Sequence, residues 1–321
     1  MTSSHAPSRT VAEVVASVAL ALASRLDNGR TPDGTIEIPL DGARGRPDDV
    51  PPRVVMEARE LVAAVMQQPR YWPSAAAATP LTPADIEAIE RAAARRAMGA
   101  PLAYAVRSAP FRGLMLYVDE RVLIPRPETE YLIDRVLALP GRRPGGIAVD
   151  VGTGSGAIAL ALASEGDFAR VIGTDISHDA LAVARENGAR CAGALRVGVE
   201  FRAGGALAPL ADLEHAVELL VSNPPYIAFD EVPALPADVR DWEPPLALAC
   251  AGDGLAVTQA IVADGGRLLR PGGILAFETD SRRAQRVAVM VRENGTYDAV
   301  EVLLDLAGRE RYVVARRRGT N

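Results

Sequence analysis

Beyond Gly145 the chain alternates apolar strand patterns with helical ones. One strand runs straight into a glycine turn and a helix, and the next strand ends on an acid. These observations predict an α/β fold with a doubly wound, Rossmann-like sheet. The first strand is Ile147-Ala148-Val149-Asp150-Val151, and the turn is Gly152-Thr153-Gly154-Ser155-Gly156 ahead of the helical run 157–163. Glycines permit positive φ and close backbone approach to a ligand. The spacing is G-x-G-x-G rather than the G-x-G-x-x-G of dinucleotide sites, so no pyrophosphate is required there. The second strand, 170–174, ends in Asp175, whose carboxylate can accept two hydrogen bonds from ribose hydroxyls. A glycine turn with a ribose acid and no phosphate cradle reads as a nucleoside site, such as one for S-adenosylmethionine.

The apolar run 217–222 then ends in Asn223-Pro224-Pro225-Tyr226. Each proline fixes its own φ and pushes the preceding residue to extended geometry, so this bend is stiff and its carbonyls point in set directions. At the carboxyl end of a sheet strand it suits a planar amine or amide held for attack on an electrophile.

Composition narrows the chemistry. Of 321 residues, 49% are hydrophobic, enough for a globular core. All 35 basic residues are arginine, which excludes a P-loop lysine, a Schiff-base lysine and a lysine general base. The 3 histidines are His5, His178 and His215, and the 2 cysteines are Cys191 and Cys250. A four-cysteine zinc site is impossible and no H-E-x-x-H occurs, so no metal is expected. Two distant cysteines suggest free thiols in a reducing cytoplasm. No run is long enough to span a bilayer. The stretch 11–26 is interrupted by Glu13 and reads as a core helix rather than a signal peptide. The net charge of −6 argues against a protein that grips duplex nucleic acid. Arg91-Ala92-Ala93-Ala94-Arg95-Arg96 reads as a solvated helix face, and Arg316-Arg317-Arg318 as a solvated tail.

Three parts follow along the chain. Residues 1–99 form a smaller helical domain with helices over 11–26, 53–68 and 82–98, and a Gly/Pro/Asp-rich loop insertion at 27–52. Thr82 before Pro83, with Asp85 at the capping-box offset, starts the third helix. Residues 100–125 form a connecting β-hairpin from the runs 111–117 and 122–124. Residues 126–321 form the nucleoside-binding domain. Its first helix starts at Pro125-Arg126-Pro127-Glu128-Thr129-Glu130, where Pro127 suits the first turn and the acids suit the helix N-terminus. A functional reading of the same motif is a lid that brings Glu128 near the cationic end of the ligand. Further helices are expected at 179–189, 254–269 and 281–294, a strand at 273–278, and a closing antiparallel pair at 297–304 and 310–315.

Leu123-Ile124-Pro125-Arg126-Pro127-Glu128-Thr129-Glu130, Asp150 to Gly156, Asp175-Ile176-Ser177, Asn223 to Ile227 and Glu243-Pro244-Pro245-Leu246-Ala247-Leu248 occur in that order. On these segments the chain resembles the HemK-type protein-(glutamine-N(5)) methyltransferases, which modify peptide chain release factors. The resemblance runs from about residue 53 to 316. It implies a Rossmann-like S-adenosylmethionine-dependent methyltransferase that methylates a glutamine side-chain amide in a Gly-Gly-Gln loop. Carried over, Gly152, Thr153, Gly154, Ser155 and Gly156 line the cofactor, with Asp175 on its ribose and Ile176 beside it. Asn223 and the Pro224 carbonyl accept from the substrate amide, Pro225 completes the bend, and Tyr226 packs against the amide. The helical part serves as the platform for the protein substrate. The pattern departs at Gly204-Gly205-Ala206-Leu207, where related chains carry an acid and a bulky residue, and at Glu278-Thr279-Asp280, where they carry a glycine after the acid. The competing readings are a nucleic-acid exocyclic-amine methyltransferase, a ribosomal-protein glutamine methyltransferase and a non-catalytic nucleoside-binding module.

Overall fold

The computed structural model describes residues 9–27 and 50–319. Most of the insertion expected at 27–52 therefore lies outside the described residues. The chain divides into two compact units at Ser108/Ala109, inside the segment expected to connect the domains.

In the first unit, helix α1 is Val11–Asp27, α2 is Pro52–Val65 and α3 is Pro83–Ala97. Val11, Val14, Val15 and Val18 recur at helical spacing on α1 and pack with Val54, Ala58, Leu61 and Val62 of α2 and Ile89 and Ala93 of α3. The expected capping box starts α3. Asp85 N–H donates to Thr82 Oγ1 at 3.2 Å, and Thr82 N–H donates to Asp85 Oδ2 at 3.1 Å.

The second unit opens with a hairpin of β1, Ala109–Phe111, and β2, Leu114–Leu116. The expected run 111–117 thus folds back on itself at Arg112-Gly113, and 122–124 forms no strand. Arg112 takes φ 53, a conformation that side-chain-bearing residues seldom adopt. Its guanidinium is fastened to Glu165 at 2.5 and 2.6 Å and to Asp134 at 2.8 Å.

The remainder is doubly wound. Helix α4 is Pro127–Ala138, followed by β3 Ile147–Val151, α5 Ala157–Glu165, β4 Arg170–Asp175, α6 His178–Arg190, β5 Val199–Ala203 and β6 Val217–Ser222. Then come α7 Ala256–Leu268, β7 Leu269–Glu278, α8 Ala284–Glu293, β8 Tyr297–Leu304 and β9 Glu310–Arg317. They build a 7-stranded sheet in the order β8-β9-β7-β6-β3-β4-β5, parallel except for β9, which lies antiparallel to both neighbours. The period-2 alternation of strands assigns side chains to faces. Leu219, Val221, Ile274, Ala276, Tyr312 and Val314 belong to one core cluster with Leu132, Ile133 and Val136 of α4. Leu220, Leu275, Phe277 and Val313 belong to the other. Helix α5 is apolar all round and buried from Ala157 to Ala163, which matches its near-continuous apolar sequence.

The C-terminal arginines are not a solvated tail. Arg316 and Arg317 lie in β9, where Arg316 donates to the Gly272 carbonyl at 3.0 Å and Arg317 to the Leu269 carbonyl at 2.6 Å. Arg318 donates to the Tyr297 carbonyl at 3.0 Å. Backbone carbonyls left without a ladder partner need donors, and a charge run read along the sequence cannot reveal them. Among the described residues no helix is long and apolar enough to cross a membrane.

Candidate active site

The strand order reverses between β3 and β6, and in open α/β sheets ligands bind in the crevice at that point. Register makes the crevice specific. Val151 pairs with Thr174 on one side and with Ser222 on the other. Gly152, Asp175 and Asn223 therefore leave three neighbouring strands at one level. Ser222 Oγ pins that level by donating to the Val151 carbonyl at 2.6 Å.

The glycine turn wraps over the tip of β4. Gly152 and Thr153 N–H groups both donate to the Thr174 carbonyl at 2.8 Å. Asp175 accepts from Gly154 N–H through Oδ2 and from Ser177 N–H through Oδ1, each at 2.9 Å. A carboxylate offers about four lone-pair sites, so each oxygen retains capacity for a ribose hydroxyl. Gly152 and Gly154 sit at φ 76 and 54, and a Cβ added at either meets no atom within 4 Å. The turn thus shows an open, side-chain-free surface beside a hydrogen-bond acceptor, which fits a nucleoside. Ser155 is buried, and its carbonyl accepts from Asn187 Nδ2 at 2.9 Å. Gly156 precedes α5 at φ 84.

Asp150 braces the turn from within. It is fully buried, accepting from Thr153 Oγ1 at 2.6 Å and Ala159 N–H at 3.2 Å, while Oδ1 has no partner. Burial pushes its carboxyl up to about 7, against the hydrogen bonds that favour the charged form. Burial also raises Asp175. Ile176 is 59% exposed, and its Cδ1 would lie 3.5 Å from a Cβ on Gly205, with nothing else within 4 Å. Beside Asp175 this chain therefore offers open space.

The second half of the site is the bend after β6. Asn223 Nδ2 donates to Thr129 Oγ1 at 3.2 Å. Pro224 is buried. The Pro225 carbonyl accepts from the Cys250 thiol at 3.1 Å. The Tyr226 carbonyl abuts Gly254, at φ 79, where any Cβ would collide with it. The Pro224 carbonyl takes no hydrogen bond from the described residues. Tyr226 is half-buried, and burial, with the nearby Glu278 charge, pushes its phenol up to about 12, so it stays protonated near neutrality.

Charged groups hold the surrounding segments. Arg283, 5% exposed, donates to the Asp253 carbonyl at 2.8 Å and to Asp280 at 2.7 Å, and pairs with Glu231. Glu231 in turn accepts from Ala228 N–H at 2.9 Å. Arg126 pairs with the buried Glu243, which also accepts from Ile124 N–H at 3.3 Å. The motifs around Arg126 and Glu243, far apart in sequence, thereby meet. Glu128 is fastened twice. Its carbonyl accepts from Tyr312 OH at 2.7 Å, and its carboxylate stands 3.6 Å from the Arg309 guanidinium.

Thr129 and Glu278 escaped the sequence reading as site residues. Both are buried, and the Thr129 hydroxyl favours the ionised form of Glu278, whose carboxyl burial pushes up to about 7. The signal was register: Ser222 pairs with Phe277, which sets Asn223 level with Glu278.

A family model described as a methyltransferase domain matches residues 143–314. A release factor glutamine methyltransferase of Moorella thermoacetica is 44% identical over 238 residues, 74% of this chain and 82% of that protein. One of Cereibacter sphaeroides is 42% identical over 237 residues, 74% and 82% of the two chains. One of Deinococcus radiodurans is 40% identical over 233 residues, 73% and 79%.

Proposed function

Since the chain belongs to the methyltransferase family of the release factor glutamine methyltransferases, we propose that it methylates the side-chain amide of a glutamine in the Gly-Gly-Gln loop of a peptide chain release factor. The observation that carries this reading is the register of β3 with β6, which sets Gly152 beside Asn223. One turn faces a nucleoside, and its neighbour faces an amide.

S-adenosylmethionine supplies a methyl group on a sulfonium, already a good leaving group. Gly152 to Gly156 would line it, Asp175 would accept its ribose hydroxyls, and Ile176 would cover its edge. Glu128 contributes negative charge at the mouth, shared with Arg309. An amide nitrogen is a weak nucleophile because its lone pair is delocalised into the carbonyl. Asn223 Oδ1 and the Pro224 carbonyl accept hydrogen bonds from its two N–H groups, fix the nitrogen and favour its pyramidalisation, and one of those protons passes to solvent as the nitrogen takes the methyl group. Pro225 keeps the bend rigid through the Cys250 contact. Tyr226 packs against the carboxamide, and its ring contributes a cation–π attraction of about 0.5–2 kcal/mol toward a sulfonium. Holding the reactants in line lowers the barrier by ~7–11 kcal/mol, and no strong base is needed. The helical unit before Ala109 is the platform for the protein substrate. The reaction belongs to the cytoplasm, in keeping with two free thiols.

The test is incubation with labelled S-adenosylmethionine and, in parallel, a release factor, a ribosomal protein fraction and duplex DNA. Mass spectrometry should find one methyl on the Gly-Gly-Gln glutamine. Label on DNA, on a ribosomal protein alone, or nowhere overturns the reading.

A further inference from the structure

Alternation along β6 and β7 puts residues 219, 221 and 223 and residues 274, 276 and 278 on one face of the sheet, the face that packs on α4. Asn223 and Glu278 are thus neighbours across parallel strands. Thr129, in the first turn of α4, is hydrogen-bonded to the first and acts on the charge of the second. It accepts from Asn223 Nδ2 at 3.2 Å, and its hydroxyl favours the charged form of Glu278. Thr129 is 5% and Glu278 1% exposed, and Glu278 Oε2 has no hydrogen-bond partner. Arg311, Arg126 and Glu128 are the other charges acting on Glu278.

A primary amide can bind either way round, with nitrogen and oxygen exchanged. A threonine hydroxyl has one proton to give. While that proton is turned to a carboxylate, Thr129 Oγ1 can only accept, and only the –NH2 end of Asn223 suits it. We propose that Thr129 is a positioning residue: it holds the –NH2 end of Asn223 so that Oδ1 faces the substrate amide, and Glu278, in its ionised form, keeps the Thr129 hydroxyl committed to accepting. This rests on the glutamine-methylation reading. With the amide reversed, Asn223 would present donors to a substrate –NH2 that can only donate, and the nitrogen would not be held.

The experiment compares kcat and KM for both substrates in the parent, Thr129→Val, Thr129→Ser and Glu278→Gln, with donor binding by calorimetry and thermal melting for each. Thr129→Val keeps the branched shape and should lower kcat about 100-fold while leaving donor affinity and donor KM within a few-fold. Thr129→Ser should recover most of the loss. Glu278→Gln, whose amide accepts or donates, should fall between parent and Thr129→Val. Parent-like kcat in Thr129→Val or in Glu278→Gln overturns the inference, as does a failed serine rescue or a loss confined to donor KM. If Thr129→Val does not fold, Thr129→Ala takes its place under the same criteria. A parent protein that leaves the Gly-Gly-Gln glutamine unmethylated overturns the functional reading instead.

Discussion

Asn223 and Asp175 flank β3, and the proposed function gives them separate tasks. Asn223 Nδ2 donates to Thr129, on the side assigned to the substrate amide. Asp175 is tied into the donor side through Gly154 and Ser177. Asn223→Ala should therefore abolish turnover while leaving S-adenosylmethionine affinity within a few-fold by calorimetry. Asp175→Ala should weaken cofactor binding first. A normally active Asn223→Ala removes that residue from the mechanism, and unchanged binding in Asp175→Ala removes the ribose assignment. Both residues could be named as candidates from the sequence, because a glycine turn, a strand-end acid and an Asn-Pro-Pro bend are local patterns. Thr129 and Glu278 could not. Their relation to Asn223 exists only once strands distant in sequence pair in register. The arginine turn at Arg112 was hidden for a similar reason, since the acids Glu165 and Asp134 that hold it come from helices later in the chain.

At the scale of elements, the segment after the bend depends on Arg283. This buried guanidinium joins the Asp253 carbonyl, Asp280 and Glu231. Asp280 is thus accounted for: it anchors Arg283 and Arg282 at the start of α8. Removing one partner from such a network strands the others. Arg283→Ala should cost about 2–3 kcal/mol in urea unfolding, an allowance for the partial exposure of Glu231 and Asp280. It should also raise KM for the protein substrate more than for the methyl donor. An unchanged midpoint and unchanged KM would show that the loop is held by its short strand pairing alone, between Ile227–Ala228 and Ala249–Cys250. Most helices and strands of the α/β unit were legible to within a few residues, because 3.6- and 2-residue periodicity is local. The terminal arginines were misread because their partners are backbone carbonyls of β7, far away in sequence.

For the whole molecule, buried acids set the response to pH. Asp150 is raised to about 7 from an ordinary 3.8. Its stabilising share is fully present below the unfolded value and is lost as pH rises through the folded one. Glu278 acts in the same sense, whereas Asp305, held down to about 2 chiefly by a backbone hydrogen bond from Arg309, opposes it only under acid conditions. Asp150→Asn removes the first contribution. Between pH 5 and pH 8 its free energy of unfolding, measured in urea, should fall less than the parent's, by up to an amount on the order of 3 kcal/mol. Parallel curves would mean that Asp150 is ionised in the folded protein throughout.

The pairing of Val151 with Ser222 also bears on timing. Both candidate turns ride on adjacent strands of one sheet, about 4.8 Å apart, so no hinge has to swing them into line. Adding glycerol should then retard departure of the bulky product, yet leave the single-turnover rate of methyl transfer untouched.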